Sequence, residues 1–403
     1  MNAVGIDVSK GKSMIAVMRP FGEIVLSPFE VKHTTAELTN LAETLRELEG
    51  ETKIVMECTG SYHLPIAYSL YESELFVSTV NPIITHKYDN NSIRKSRNDK
   101  TDAIKIANYT LTNWLKLPKY IPEEDTRHSL KAYSRQYNKY KKIHVMLKNN
   151  IISLLDNTFP GANELFSSPP RKDDGHEKWV DFVSHFWHCK CISSLTQKAF
   201  TDRYRKWCKR AGYNFSETKV EEVYTKSIGH VSVIPMNDTT KLLITQAASQ
   251  INATSETLET LSQKMKALAA SLPEYPVVME FRGVGDIIGP QLIAEIGDIY
   301  RYFQKSSLVR FAGLEPVENQ SGKFRGNESI SKQGSPHLRK TLFQVMKCLL
   351  KSAPSDDPIF QFLDRKRAEG KHYYSYMTAG SAKFLRVYYA RVKEHLDKQF
   401  SEE

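Results

Sequence analysis

From Ile244 onward every seventh residue is apolar: Ile244, Ile251, Leu258, Met265 and Leu272, with Ala247, Thr254, Leu261 and Leu268 repeating beside them. Two rows at this spacing fall on one stripe of an α-helix, so residues 238–273 are expected to form a coiled-coil helix with one polar position, Thr254, in its seam. A stripe of that length cannot face water and needs a partner helix along it. The stretch Thr126–Leu155 offers one, with an apolar row of Ile143, Leu147, Ile151 and Leu154. The seam can close on that stretch as a helical hairpin or on a second subunit, and the sequence leaves both open.

Thr126–Leu155 contains no acidic residue but seven cations, Arg127, Lys131, Arg135, Lys139, Lys141, Lys142 and Lys148, interleaved with Tyr133, Tyr137 and Tyr140. Solvated helices usually mix charge signs, so a one-signed run points to a nucleic-acid backbone, with binding that weakens steeply in salt. The whole chain agrees: its net charge is +10 with a pI near 9.1, which favours a polyanion over an anionic membrane surface. At 403 residues it should hold two or three domains. No stretch approaches the roughly 20 apolar residues of a membrane span. The N-terminus runs straight into Ala3-Val4-Gly5-Ile6-Asp7, so a cytoplasmic protein is expected. Five cysteines, odd in number and scattered, read as reduced thiols.

The first hundred residues read as β-β-β-α-β-α-β. Val4, Ile6 and Val8 alternate with Gly5, Asp7 and Ser9, and Ser13–Arg19 and Glu23–Val31 follow as strands joined at Pro20-Phe21-Gly22. Thr34 with Glu37 opens a helix, Lys53–Cys58 is a strand, Tyr62–Tyr71 a short helix and Leu75–Val80 a strand. That order is the order of a ribonuclease-H-like fold, a mixed sheet flanked by helices. Asp7 falls mid-strand and Glu57 at a strand end, while Asp99 and Asp102 lie three apart and so share one helix face. Each acid alone reads as a cap or a surface charge. Gathered as a set they would repel unless a divalent ion neutralised them, and hard oxygen ligands suit Mg²⁺ or Mn²⁺. Arg94, Lys95, Arg97 and Lys100 crowd the approach to Asp99, as a solvated loop or as phosphate contacts.

Three later features complete the reading. His185, His188, Cys189, Cys191 and Cys208 fit no zinc-ligand spacing and are read as packing and surface residues of a helical insertion. Gly283-Val284-Gly285 before a helix is similar to the turn of helix-hairpin-helix modules, where backbone N–H groups meet a phosphate. Ser321, between Gln320 and Gly322, sits on a polar turn surrounded by Lys323, Arg325, Lys332, Arg339 and Lys340, where a small hydroxyl could meet a phosphodiester.

Together these motifs resemble the IS110 family of transposases. Its C-terminal domain is resembled by G-V-G-x-x-x-G-P-x-L-I-A-E-I-G-D, L-V-R-F-A-G-L-E-P, Q-S-G-K-F and I-S-K-Q-G-S-P-H-L-R-K, and its RuvC-like DEDD domain by G-I-D-V-S-K, V-M-E-C-T-G and N-D-K-T-D-A. The resemblance implies a RuvC-like domain over 1–115 of an α+β chain, and composition and periodicity add a basic helical segment over 116–165, an inserted helical module over 166–237 and a coiled-coil helix over 238–273. A helical transposase domain over 274–352 and a helical tail over 353–403 would follow. It implies a metal-binding tetrad of Asp7, Glu57, Asp99 and Asp102, with Ser321 as nucleophile. It further implies donor and target DNA as substrates, a noncoding bridge RNA as guide, and a dimer to tetramer with composite active sites. Nucleic-acid contacts are expected at Arg94, Lys95, Arg97, Arg127, Lys131, Arg135, Lys139, Gly283, Gly285, Lys323, Arg325, Lys332 and Arg339. The competing enzyme reading is a RuvC-like endonuclease or junction resolvase in which water attacks and Ser321 is only a turn residue. A third reading is a non-catalytic nucleic-acid scaffold.

Overall fold

The computed structural model describes residues 1–402 apart from 59, 83, 86–97, 318–319, 322–323 and 326–328; between 318 and 328 only the backbone of the remaining residues is described. The chain divides into two compact units, Met1–Glu123 and Glu124–Glu403.

Unit 1 is a five-stranded sheet between helices, in the expected element order. Strands β1 (Asn2–Ser9), β2 (Lys12–Met18), β3 (Ile24–Lys32), β4 (Thr52–Glu57) and β5 (Phe76–Val80) lie in the order β3-β2-β1-β4-β5. The first three are antiparallel neighbours, whereas β1–β4 and β4–β5 are parallel. Parallel pairing requires crossovers, supplied by α1 (Thr35–Arg46) and α2 (Leu64–Glu72). The alternation read from β1 sorts its two faces. Val4, Ile6 and Val8 pack with Leu38, Leu41, Leu45, Ile66 and Leu70 of these helices. The other face, carrying Gly5 and Asp7, is covered by α3 (Asp99–Thr112). The contact is so close that a Cβ built on Gly5 would stand 2.1 Å from the Ala103 carbonyl oxygen and 2.2 Å from the Ala107 nitrogen.

Unit 2 is helical. Its frame is α4 (Asp125–Thr158) lying antiparallel to a second long helix, with α5 (Lys178–His185), α6 (Lys190–Ser193), α7 (Gln197–Ala211) and α8 (Glu217–Gly229) between them in the chain. That second long helix is α9 (Asp238–Ala270), and its heptad seam closes within the chain on the basic helix, not on a second copy. Two cores share the pair. Ile244, Ala247 and Ile251 join Ile151 and Leu155 in a core built with the aromatic residues of α5–α8. Leu258, Met265 and Leu272 join Leu130 and Tyr137 in the other. Its remaining members come from α10 (Tyr275–Met279), α11 (Ile288–Ile296), α12 (Lys305–Phe311), α13 (Pro336–Ser352), α14 (Pro358–Ala368) and α15 (Tyr373–Glu402).

Thr254, the polar position in the seam, marks the border between these cores. Across from it stands buried His144, whose Nδ1 lies 3.2 Å from the Thr254 hydroxyl. The His144 Nε2 lies 3.4 Å from Glu177, which also receives hydrogen bonds from Lys148 at 2.8 Å and from the Trp179 indole at 2.8 Å. Burial alone would raise the Glu177 pKa, but the donors His144, Lys148 and Trp179 outweigh it and hold the carboxyl down at about 2. Stability from a depressed acid is present above its unfolded pKa and is lost as pH falls through the folded one. Glu177→Gln is therefore expected to cost about 2 kcal/mol at pH 7. The gap to wild type, followed by thermal melts, should narrow steadily between pH 4.5 and pH 2; a gap constant across that range would remove the ionic account of this border.

Among the described residues no helix is long and apolar enough to cross a membrane. Of the crowded His and Cys residues, His185 is exposed and Cys191 half-buried. His188 is buried, its Nε2 donating to the Ile234 carbonyl at 3.0 Å and its Nδ1 accepting from the Lys190 amide at 3.0 Å, and Cys208 lies in the aromatic core.

Candidate active site and nucleic-acid surfaces

The parallel register pairs Ile6 with Met56, so Asp7 within β1 and Glu57 at the end of β4, each one residue further, lie side by side on adjacent strands. Neighbours across a parallel ladder point to the same face, and here that face is the one covered by α3. Asn98 caps α3: its Oδ1 accepts from the Thr101 amide at 2.8 Å, and the Thr101 hydroxyl receives the Asn98 amide. This cap fixes where the first turn begins and so aims Asp99 and Asp102, whose negative charge suits a helix N-terminus. The convergence is felt at Asp7. Burial first, then the charges of Asp99, Asp102 and Glu57, push its carboxyl up to about 6.

The four acids therefore share one electrostatic neighbourhood, drawn from three strands and helices that are remote in sequence. Two of them have other partners in this structure. The Thr85 hydroxyl donates to Glu57 Oε1 at 2.5 Å, and Lys105 Nζ donates to Asp102 Oδ1 at 2.9 Å. Among the described residues no group of three His, Cys, Asp or Glu side chains stands at metal-binding closeness. The donor set nonetheless fits a hard divalent ion: it is all oxygen, and its mutual repulsion is what such an ion relieves. Lys105 could have been found in the sequence as an i,i+3 partner of Asp102. Thr85 carries no sequence signal, because only the fold brings it to Glu57.

Ser321 is placed by its backbone alone. It belongs not to a simple turn but to a small ribbon: β7 (Gln320–Ser321) pairs antiparallel with β8 (Phe324–Arg325), Ser321 opposite Phe324. Below it β6 (Pro316–Val317) pairs with β9 (Ser329–Ile330). The ribbon's base is drawn tight where Gly334 passes Phe311, a built Cβ there falling 2.3 Å from the Phe311 oxygen. Arg339 Nη1 binds the Ala312 and Gly334 carbonyls at 2.9 and 3.1 Å, so this guanidinium helps hold the base of the ribbon. Lys332 is exposed. The Lys323 position and the side chain of Arg325 lie outside the described residues, as do Arg94, Lys95 and Arg97.

On α4 the four nominated cations fare differently. Arg127 is buried and forks onto the buried carboxylate of Glu274, so it is a structural ion pair and the expected phosphate contact there is corrected. Arg135 is half-exposed with its Nε on Glu295 at 3.2 Å. Lys131 is partly buried and Lys139 exposed; with Arg135 they recur every four residues and share a face. Gly283 takes a left-handed φ of +78° against α13, and Gly285 has open space where a side chain would go.

Comparison with known proteins supports the sequence reading. Residues 4–160 match the IS110 DEDD model, described as Transposase, and residues 275–359 match the model described as Transposase IS116/IS110/IS902 family, together more than half of the chain. The chain belongs to the IS110 family of transposases. Family relatives extend over nearly its full length. An insertion element IS116 protein of Streptomyces clavuligerus is 21% identical over 91% of this chain and 88% of its own. A pilin gene-inverting protein of Moraxella bovis is 23% identical over 87% of this chain and 83% of its own. The transposase for insertion sequence element IS1111A of Coxiella burnetii is 29% identical over 24% of this chain and 26% of its own. Among solved structures, T. thermophilus RuvC in complex with a Holliday junction substrate covers 28% of this chain and 95% of that one, at 14% identity and a TM-score of 0.22. The strand order, and not that loose superposition, carries the fold assignment for this transposase.

Proposed function

We propose that this IS110-family transposase cuts and rejoins DNA through a serine-linked intermediate, with the four acids of unit 1 holding a divalent ion, Mg²⁺ or Mn²⁺. The observation that carries the metal part of the reading is the placement of Asp7 beside Glu57 on adjacent parallel strands, against the helix whose first turn bears Asp99 and Asp102. The ion would be held by Asp7, Glu57, Asp99 and Asp102, and when bound it supplies Lewis-acid stabilisation of phosphodiester charge. Ser321 Oγ is the nucleophile. Its bond to phosphorus forms as the P–O3′ bond breaks, and in the net change the serine's proton ends on the 3′ oxygen. The phosphodiester energy is kept in the Ser–O–P linkage for rejoining. A noncoding bridge RNA supplies sequence choice by pairing with donor and target DNA, and the working form is a dimer to tetramer. The seam of α9 is filled within the chain, so assembly uses another surface. Lys131, Arg135, Lys139, Gly283 and Gly285 contact phosphate.

The test is a denaturing gel of labelled donor DNA incubated with protein, Mg²⁺ and RNA transcribed from the flanking element. Wild type should leave DNA covalently on the protein, and Ser321→Ala should leave none while binding DNA within about twofold of wild type. Adduct surviving Ser321→Ala removes the serine assignment. Cleavage without any adduct in wild type hands the reaction to water and favours the nuclease reading.

A further inference from the structure

Unit 2 carries a groove of about 840 Å³ between α4, the Gly283–Ile287 turn and α13. Its wall is apolar at Val284, Ile287 and Ile288, while three lysines, Lys141 of α4 and Lys340 and Lys347 of α13, stand around it. The amides of Gln291 and Gln344 line it between these. Its acidic residue, Asp286, is already paired with Lys266 of α9 at 2.7 Å. The groove thus combines an apolar face, amide hydrogen-bonding groups and uncompensated positive charge.

We infer that this groove takes an unpaired nucleotide of a nucleic-acid strand, its base on the apolar wall and its flanking phosphates on Lys141, Lys340 and Lys347. A duplex offers phosphates but keeps its base faces stacked inside, where this wall cannot reach them. An unpaired base offers a flat apolar face, hydrogen-bonding edges for Gln291 and Gln344, and phosphates on either side. The N-terminus of α11, which follows the turn, adds partial positive charge at the same end. Lys340 is held at the groove by a 2.5 Å hydrogen bond to Asn138 Oδ1. Burial, and then Lys142, draw its ammonium below the ordinary lysine range, a strain that a phosphate would relieve. The inference rests on unit 2 of the transposase binding nucleic acid, but not on its cutting any.

Cys348 is exposed on the groove wall and reports its occupancy, while Cys189 and Cys208 are buried. The experiment follows alkylation of Cys348 in the full-length protein by peptide mass spectrometry, with saturating oligouridine, oligothymidine or a blunt DNA duplex of equal length. Either single strand should slow the reaction by about fivefold or more and the duplex by less than about twofold. Protection by RNA alone, DNA alone or both names the strand that the groove takes. The charge reversals Lys141→Glu with Lys347→Glu should abolish protection without lowering the melting temperature. No slowing by either strand, equal slowing by duplex, or protection that survives these reversals would overturn the inference. The same measurement on Asp7→Asn separates it from the catalytic reading, since protection must persist there whether or not cleavage depends on the acids.

Discussion

Asp7→Asn should lower strand cleavage by about three orders of magnitude, the several kcal/mol expected when an anchoring carboxylate of an ion site is lost, while DNA affinity changes little. The same substitution should make the metal-free fold more stable. The Asp7 carboxyl is pushed up to about 6, first by burial and then by Asp99, Asp102 and Glu57, against 3.8 for an unperturbed aspartate. A raised acid contributes stability that is fully present below the unfolded pKa and is lost as pH rises through the folded one. At pH 7.5 the folded protein must carry a carboxylate that its surroundings disfavour. In chelator at that pH the asparagine variant should therefore be more stable by about 1–2 kcal/mol, discounted because the side chain is partly solvated. Below the unfolded value of 3.8 the difference should close, and at about pH 3 it should be nearly gone. Added Mg²⁺ should raise the melting temperature of wild type more than that of the variant. Retained cleavage, or a stability difference independent of pH, would mean that the acids do not act as a set.

How far this site could be read from sequence depends on which links were local. The strand alternation around Asp7, the three-residue spacing of Asp99 and Asp102 and the seven-residue period of α9 all lie within a few turns or strands, and each gives the element that the fold contains. The parallel β1 and β4 are neighbours in the strand order of the ribonuclease-H-like fold, with α1 supplying the crossover, so Asp7 beside Glu57 was within reach of topology. Other features were not local. Arg127 looks like any other cation of its run, and its burial against Glu274, 147 residues away, depends on the antiparallel pairing of α4 with α9. The sequence left open whether that seam closes inside the chain. The second core, built by the aromatic residues of α5–α8, is what fills the other half of α4 and leaves no length of seam unpartnered. The ribbon bearing Ser321 has strands of two residues, too short for any alternation to register.

Gly5→Ala should collapse the geometry that gathers the acids, although it adds only one uncharged methyl group. On most strands glycine weakens the sheet and alanine would be a gain. Here the new Cβ would fall 2.1 Å from the Ala103 oxygen, 2.2 Å from the Ala107 nitrogen and 2.9 Å from the Ala107 Cα. All three are backbone atoms of α3, so no rotamer change can relieve the clash. Either the helix lifts from β1, opening the packing of buried Ala103, Ile106 and Ala107, or the strand shifts against β2 and β4. The expected loss is about 3–5 kcal/mol, the upper range for overpacking a core. Gly229→Ala, with nothing within 4 Å of its added Cβ, serves as the control and should be nearly neutral. Hydrogen exchange should report faster amide exchange in α3 and β1 with the α4–α9 pair unaffected, and cleavage should fall with it because Asp99 and Asp102 ride on α3. A Gly5→Ala protein that melts within about a degree of wild type and still cleaves would show that the seating of α3 on β1 does not position the acids.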